Sequence, residues 1–464
     1  MDINEIINPS RTPGAIITDL KRKSIVVPEW SKLEKEYDPS KHPVIVDPTY
    51  TDKIKKGSIE RVTRITLGWM KLAVKRMTEL IFGIDVQRVY NDHGNEDEKR
   101  AARILEAIYA KNRINARNID RGRWYFAACE VMTLWYAQEQ PTQYAGEQSR
   151  LKIRCRNYSP FSDNAKRSES IYPLFDEYDD LIALSVEYNR TEGDITVTYF
   201  ETYTDTTHIR WRLSSSDAEE MLRETYEIGK IPAIYAHRSE PIWEDQARNV
   251  FEVEWALSRN GNYIRKNSRP TWVVATDEEI EIGTESNNDN DGRNVLRYPA
   301  DAKYGYATWP QAIDSLKFHT EEMKHEYFMQ LQLPDMSMDN MKATPMSGEA
   351  RKMVFIDAQM KVKDESGAWL EFFDRETNVI KALASKAFPS LAAAFDRLEV
   401  EHRITPYQIR DDAEKFQNLS IATNGKPFMS QRTAIKEANY VDDIDGELEQ
   451  LEAEQMADVT EPTI

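Results

Sequence analysis

The 464-residue chain is poor in the residues that mark several large functional classes. Cys129 and Cys155 are its only cysteines, too few for a disulfide scaffold, so two free thiols in a reducing setting are expected. The N-terminal MDINEIINPSRTPG lacks a basic region followed by an apolar run, and no secretion is expected from it. The most apolar stretch, ITLGWMKLAVKRMTELIFGI, carries Lys71, Lys75, Arg76 and Glu79 and cannot cross a bilayer cheaply. There is no basic excess: the net charge is -18, opposite to that of a protein whose affinity comes from neutralising phosphates. A polyanion sliding past such a surface without sticking is compatible with that sign.

Enzyme signatures are missing too. No Walker loop, dinucleotide fingerprint, G-x-S-x-G, H-E-x-x-H or C-x-x-C occurs. His319 and His325 are six apart and lie on different faces of one helix, so no metal pair is expected. Asn287 to Gly292 imitates the opening of a calcium loop, but Tyr298 stands where a bidentate glutamate is needed. No cofactor, metal or catalytic residue is nominated.

What is present argues for a large folded protein. Apolar residues make up 40%, with 22 Tyr and 10 Trp, enough for more than one core. Residues 1–60 are proline-punctuated and look irregular. Helical spacing then runs through 61–83, with Gly83 as its end, before a short strand in IDVQRVY. EDEKRAARILEAIYAKN and RGRWYFAACEVMTLWYAQEQ look helical, with Trp124 and Trp135 as core aromatics.

From about residue 150 the pattern becomes β. LKIRCRNY, LIALSVEYNR, DITVTYFETYT and THIRWRL suggest an antiparallel meander, with Ile209, Trp211 and Leu213 alternating against Arg210 and Arg212 and Gly193 in a hairpin turn. A helix is expected over 241–266, with Pro241 in its first turn. Its apolar Val250, Phe251, Val253, Trp255 and Leu257 occupy more than one face, which suits packing on two sides. A small β insertion follows at 268–310 (PTWVVATD, NVLRYP, KYGYATW), then a helix at 311–332. Another helix is expected over 348–388, with Ser347 as N-cap and a kink or weak point at Gly367. Between the last two helices lies PDMSMDNMKATPMSGEARKM, with five methionines and no hydrophobic period. From Val441 onward the chain holds nine acidic residues and no basic one, which reads equally as a solvated helix with a frayed end.

This order of elements resembles the portal protein of tailed bacteriophages, in particular the SPP1-like portal family, over nearly the whole chain. MSGEARKM is similar to the Ser-Gly-x-Ala element that opens the family's long kinked helix, although Glu349 and Arg351 stand where many members are apolar. GKPFMSQRTAIKEANYVDDIDGELEQLEAE resembles its C-terminal pattern.

The resemblance implies an α+β, mainly α portal fold. Its parts would be a wing (1–240, α-rich to 149 and β-rich after), stem helices (241–266 and 311–333), a clip (267–310), a tunnel loop (334–347), a long kinked helix (348–388) and a crown with an acidic tail (389–464). It implies rings of about twelve subunits at one capsid vertex of a virion made in the bacterial cytoplasm, with no membrane partner. Double-stranded DNA would pass through the channel. Terminase large subunit, major capsid and scaffolding proteins and a head-tail adaptor would dock on it. Met336, Met338, Asp339, Asn340, Met341 and Lys342 would meet the DNA, the methionines as adaptable uncharged surface and Lys342 as the loop's one basic group. Thr271, Trp272, Asp289, Asp291 and Arg293 would serve partner binding in the clip. Val250, Phe251, Trp255 and Leu257 would pack neighbouring stems. The alternatives are a Met-rich loop packed into a monomer core, another virion component such as a minor head protein, or an enzyme with an unfamiliar site.

Overall fold

The computed structural model describes residues 3–55, 58–161, 169–214, 217–226, 228–267, 271–275, 303–307, 313–334, 356–407, 412–423, 429–438 and 446–453. Two compact units result: 1–335 with 357–406, and 336–356 with 407–464.

The proline-rich start is helical rather than irregular. It forms α1 (Ile3–Ile6), α2 (Pro13–Lys23), α3 (Trp30–Tyr37) and α4 (Pro43–Val46). Pro13 and Pro43 sit in first turns, where a missing N–H costs nothing, so these prolines start helices. A hairpin of β1 (Lys53–Lys55) and β2 (Ser58–Glu60) follows. Helix α5 (Trp69–Phe82) begins eight residues later than the periodicity suggests, because 61–68 forms no regular element; Gly83 does cap its end. After β3 (Gln87–Asn91), α6 (Glu96–Lys111) is capped by Asn95, whose side chain accepts from Asp97 N and Glu98 N.

Helix α7 (Ile114–Ala128) stops at Cys129, which takes a left-handed conformation with φ 64°. There the expected single helix of 121–140 is overturned: from Glu130 onward the chain is β4 (Glu130–Tyr144). Tertiary pairing decides, since β4 lies between β5 (Glu147–Tyr158) and β11 (Ala233–His237) in a three-stranded sheet. The expected meander is divided: LKIRCRNY belongs to β5 of this sheet, paired with β4, and the other three expected strands join two more in a separate five-stranded antiparallel sheet. Its strands are β6 (Ser170–Phe175), β7 (Leu181–Glu192), β8 (Ile195–Tyr203), β9 (Thr207–Leu213) and β10 (Ala218–Thr225). Gly193 turns the β7–β8 hairpin with φ 63°, a conformation open to glycine without steric cost.

Both faces of the five-stranded sheet are covered. One packs on α1 and α2 through Ile6, Ile16, Ile17 and Leu20 against Phe200, Ile209 and Trp211. The other meets the three-stranded sheet, where Leu184, Val186, Tyr188 and Tyr199 bury Met132, Leu134, Ala233 and Tyr235. Beyond the three-stranded sheet come α7 and the long helix α10 (Ile356–Ala387). Arg121 of α7 donates to both oxygens of Glu376 of α10 at 2.6 and 3.2 Å, and Trp135 of β4 donates to the same carboxylate at 2.8 Å. This buried cluster pins helix to helix and helix to sheet. Helix α10 runs through Gly367 without interruption; its expected cap Ser347 lies outside the described residues.

Between the sheets and α10 in sequence lie α8 (Ala247–Asn267), β12 (Thr271–Ala275), β13 (Lys303–Ala307) and α9 (Ile313–Gln330). A 3-10 turn at Glu244–Gln246 precedes α8, so Pro241 lies before the helix. Then α11 (Ala392–Arg397) and β14 (Glu399–Arg403) close the main unit, β14 pairing with β3. In the other unit α12 (Asp412–Thr423) and α13 (Gln431–Ala438) contact each other. Among the described residues no helix is long and apolar enough to cross a membrane.

Candidate functional site

The candidate site is the helix–ribbon–helix unit α8–β12–β13–α9 and the segment that leaves α9. The ribbon is antiparallel, with Thr271 opposite Ala307 and Trp272 opposite Tyr306. Asp289, Asp291 and Arg293, and the expected strand NVLRYP, lie outside the described residues.

Helix α8 is fastened by a polar seam absent from the sequence reading. Glu254, Ser258 and Asn262, four residues apart, line one face. They accept from the backbone N–H of Leu67 (2.6 Å), Ile65 (2.8 Å) and Thr63 (2.6 Å). The match is geometric: four helical residues advance about 6 Å and two residues of extended chain about 6.6 Å, so the alternate amides of Thr63, Ile65 and Leu67 meet successive turns of the helix. Gly261 permits the approach, since a Cβ there would lie 2.7 Å from Thr63 Cγ2. The signal was E-x-x-x-S-x-x-x-N with its adjoining glycine, legible only once the partner segment is known. At the seam's end Glu254 also meets His42 Nδ1 at 2.7 Å, while His42 Nε2 faces Glu36 O at 2.7 Å, both side chains fully buried.

Of the residues expected to pack neighbouring stems, Val250 is buried within the chain itself. Phe251 lies edge-on to His42, and Trp255 edge-on to Tyr50 with Arg259 over its ring; these two and Leu257 remain partly exposed.

Helix α9 is anchored at its C-terminal end. Tyr327 and Phe328 are buried beside Trp69 of α5, and Arg76 lies 4.5 Å over Phe328. The same Arg76 donates to Pro334 O at 2.9 Å. Towards the ribbon Phe318 is 68% exposed, and His319 and His325 are exposed. Pro334 is therefore a fixed departure point, and α10 begins at Ile356. Met336, Met338, Asp339, Asn340, Met341 and Lys342 lie outside the described residues. Among the described residues no cluster of His, Cys, Asp or Glu is arranged to hold a metal.

Residues 27–461 match the family described as "Phage portal protein, SPP1 Gp6-like", a structural family without enzymatic activity. No curated protein matches. Among solved structures, a chain of "Virion of native gene transfer agent (GTA) particle" is similar at 10% identity and TM-score 0.40, covering 91% of this chain and 96% of that one. A chain of "Neck of empty GTA particle computed with C6 symmetry" is similar at 10% identity and TM-score 0.39, covering 80% and 88%. Likeness at that level carries no further argument.

Proposed function

Since the chain belongs to the phage portal protein family, SPP1 Gp6-like, we propose that it is the subunit of a ring through which double-stranded DNA enters and leaves a capsid at one vertex. The observation that carries this reading is a helix pair, α8 and α9, flanking a β-ribbon, with the second helix held at its far end and releasing the chain at Pro334. In this reading α8 and α9 are stem, the ribbon is clip, 334–347 is the tunnel loop, and the sheets with α1–α7 and α10 form the wing. The C-terminal region is the crown, whose acidic tail repels DNA from the wall. Phe251, Trp255 and Leu257 are available to a neighbouring stem, and a closed ring needs such heterologous contacts. Thr271, Trp272, Asp289, Asp291 and Arg293 are assigned to terminase and adaptor binding, and energy for packaging comes from the terminase.

The loop's chemistry suits sliding. Lys342 is its one phosphate-seeking group against Asp335 and Asp339, so each subunit grips weakly. Electron microscopy with mass determination on protein co-expressed with its scaffold tests the ring; an opening of roughly 20 Å or more, set by duplex dimensions, is expected, and a compact monomer or dimer overturns the reading. Lys342→Glu is expected to impair packaging while rings still assemble; unchanged packaging removes Lys342 from the site.

A further inference from the structure

One row of cations in this acidic chain has no counter-charge within it. Arg150, Lys152 and Arg154 alternate along β5, so their side chains share one face of the three-stranded sheet, and none makes an ion pair among the described residues. Tyr136 lies opposite Arg154 and Gln138 opposite Lys152, and neither is a carboxylate. On the same face Leu134 and Tyr158 are buried against the five-stranded sheet. Further out, Tyr136 is 38% exposed, and Gln138, Arg150 and Arg154 are exposed. The outer half of the β4–β5 hairpin thus presents a basic face to solvent.

The opposite charge lies at the far margin of the same unit. Strand β6 crosses the three-stranded sheet: Glu169, just before it, pairs with Arg156 of β5 at 3.4 Å, and Phe175 at its end packs on Tyr235 and His237 of β11, with ring centres 6.5 and 6.2 Å apart. The β6–β7 turn at 176–180 therefore emerges beside β11, and β5 is the other edge. Its sequence is Asp-Glu-Tyr-Asp-Asp, without an ion pair among the described residues. Asp176 serves the turn itself, accepting from Tyr178 N at 2.8 Å and Asp180 N at 2.9 Å, and Asp180 lines a cavity together with Lys230 and Arg375. Glu177 and Asp179 are left as the exposed, uncompensated carboxylates, either side of Tyr178, which is 79% exposed.

We propose that the 176–180 turn of one subunit docks on the basic face of β5 in a second copy of the chain, a head-to-tail contact that rests on the ring reading and repeats around the ring. A closed ring needs two different, complementary surfaces on opposite sides of each subunit. The two margins of the three-stranded sheet supply one acidic and one basic surface. The row from Arg150 to Arg154 spans about 13 Å, and the ends of a four-residue turn lie within about 7 Å, so Glu177 and Asp179 can both meet cations while Tyr178 lies against a guanidinium. Tyrosine and arginine are the side chains that most often anchor protein interfaces. Subunits of net charge -18 repel one another, and local attraction of this kind steers their encounter and rejects other orientations.

The test is mass photometry of the full chain, co-expressed with its scaffold, over a dilution and salt series. Wild-type rings are expected to weaken as salt rises. Lys152→Glu with Arg154→Glu, and separately Glu177→Lys with Asp179→Asn, are each expected to raise the concentration for half-assembly at least about tenfold, with the unfolding midpoint unchanged. Asparagine is used at 179 because φ there is 63°, a conformation it tolerates. The chain carrying all four substitutions is expected to assemble again, a rescue that a folding defect cannot produce. Unchanged assembly of either variant, or no rescue, overturns the contact and leaves the ring reading standing; absence of rings from the wild-type chain overturns both. Binding of duplex DNA that Lys152→Glu with Arg154→Glu removes while rings persist also overturns the contact and assigns the row to nucleic acid.

Discussion

Each of the two stacked sheets buries a glutamate, and they are handled in opposite ways. In the five-stranded sheet Glu201 accepts from the hydroxyls of Tyr188 and Tyr203, from His208 Nε2 at 2.9 Å and from Arg210 Nε at 2.8 Å. Burial pushes its carboxyl up, but these four donors and the Arg210 charge outweigh it and hold the group at about 2. In the three-stranded sheet Glu130 accepts from Tyr235 alone among side chains, at 2.8 Å. Burial wins there, and the carboxyl rises to about 7. The difference teaches that donors, not depth, decide whether a buried carboxylate supports a sheet or burdens it.

A third buried glutamate sets the upper end of the scale. Arg121→Met leaves the buried Glu376 without its guanidinium partner, and a loss of about 3–5 kcal/mol is expected in urea unfolding. Converting Arg121 and Glu376 together to apolar residues is expected to recover much of it. Next comes Glu201→Gln, expected to cost about 3 kcal/mol near neutral pH. Because the folded value lies below the unfolded 4.5, the Glu201 contribution is present above about 4.5 and lost as pH falls through about 2, and the variant lacks that acid limb. Glu130→Gln has the opposite sign. The folded value is raised, so the native chain loses stability as pH rises from about 4.5 through about 7. The variant is expected to be flatter across that window and about 1–3 kcal/mol more stable above it. Tyr235→Phe, which removes the one side-chain donor, is expected to cost about 1 kcal/mol and to move the Glu130 step further up. If both glutamate variants change stability in the same direction at pH 8, the comparison fails.

Legibility followed how local each signal was. The meander was readable because Ile209 and Trp211 alternate with Arg210 and Arg212, and the sheet buries the first pair. Helices α6, α8 and α9 and the ribbon strands were readable from the sequence pattern, although α8 begins at Ala247 and not near Pro241. Strand β4 was not. Its apolar run VMTLWYA is equally a buried helix by composition, and only Cys129 turning left-handed and two partner strands distinguish the cases. Likewise Thr63, Ile65 and Leu67 were assigned to a helix because their amide partners lie near residue 260.

The sequence by itself determined the class of molecule. An acidic, aromatic-rich chain without cofactor motifs, with short signatures in a portal-like order, is enough to identify the family. Tertiary structure decided which glutamate is stabilising and how α8 is held. Both depend on groups from two to more than two hundred residues apart in the chain, most of them brought within hydrogen-bond distance only when the layers close.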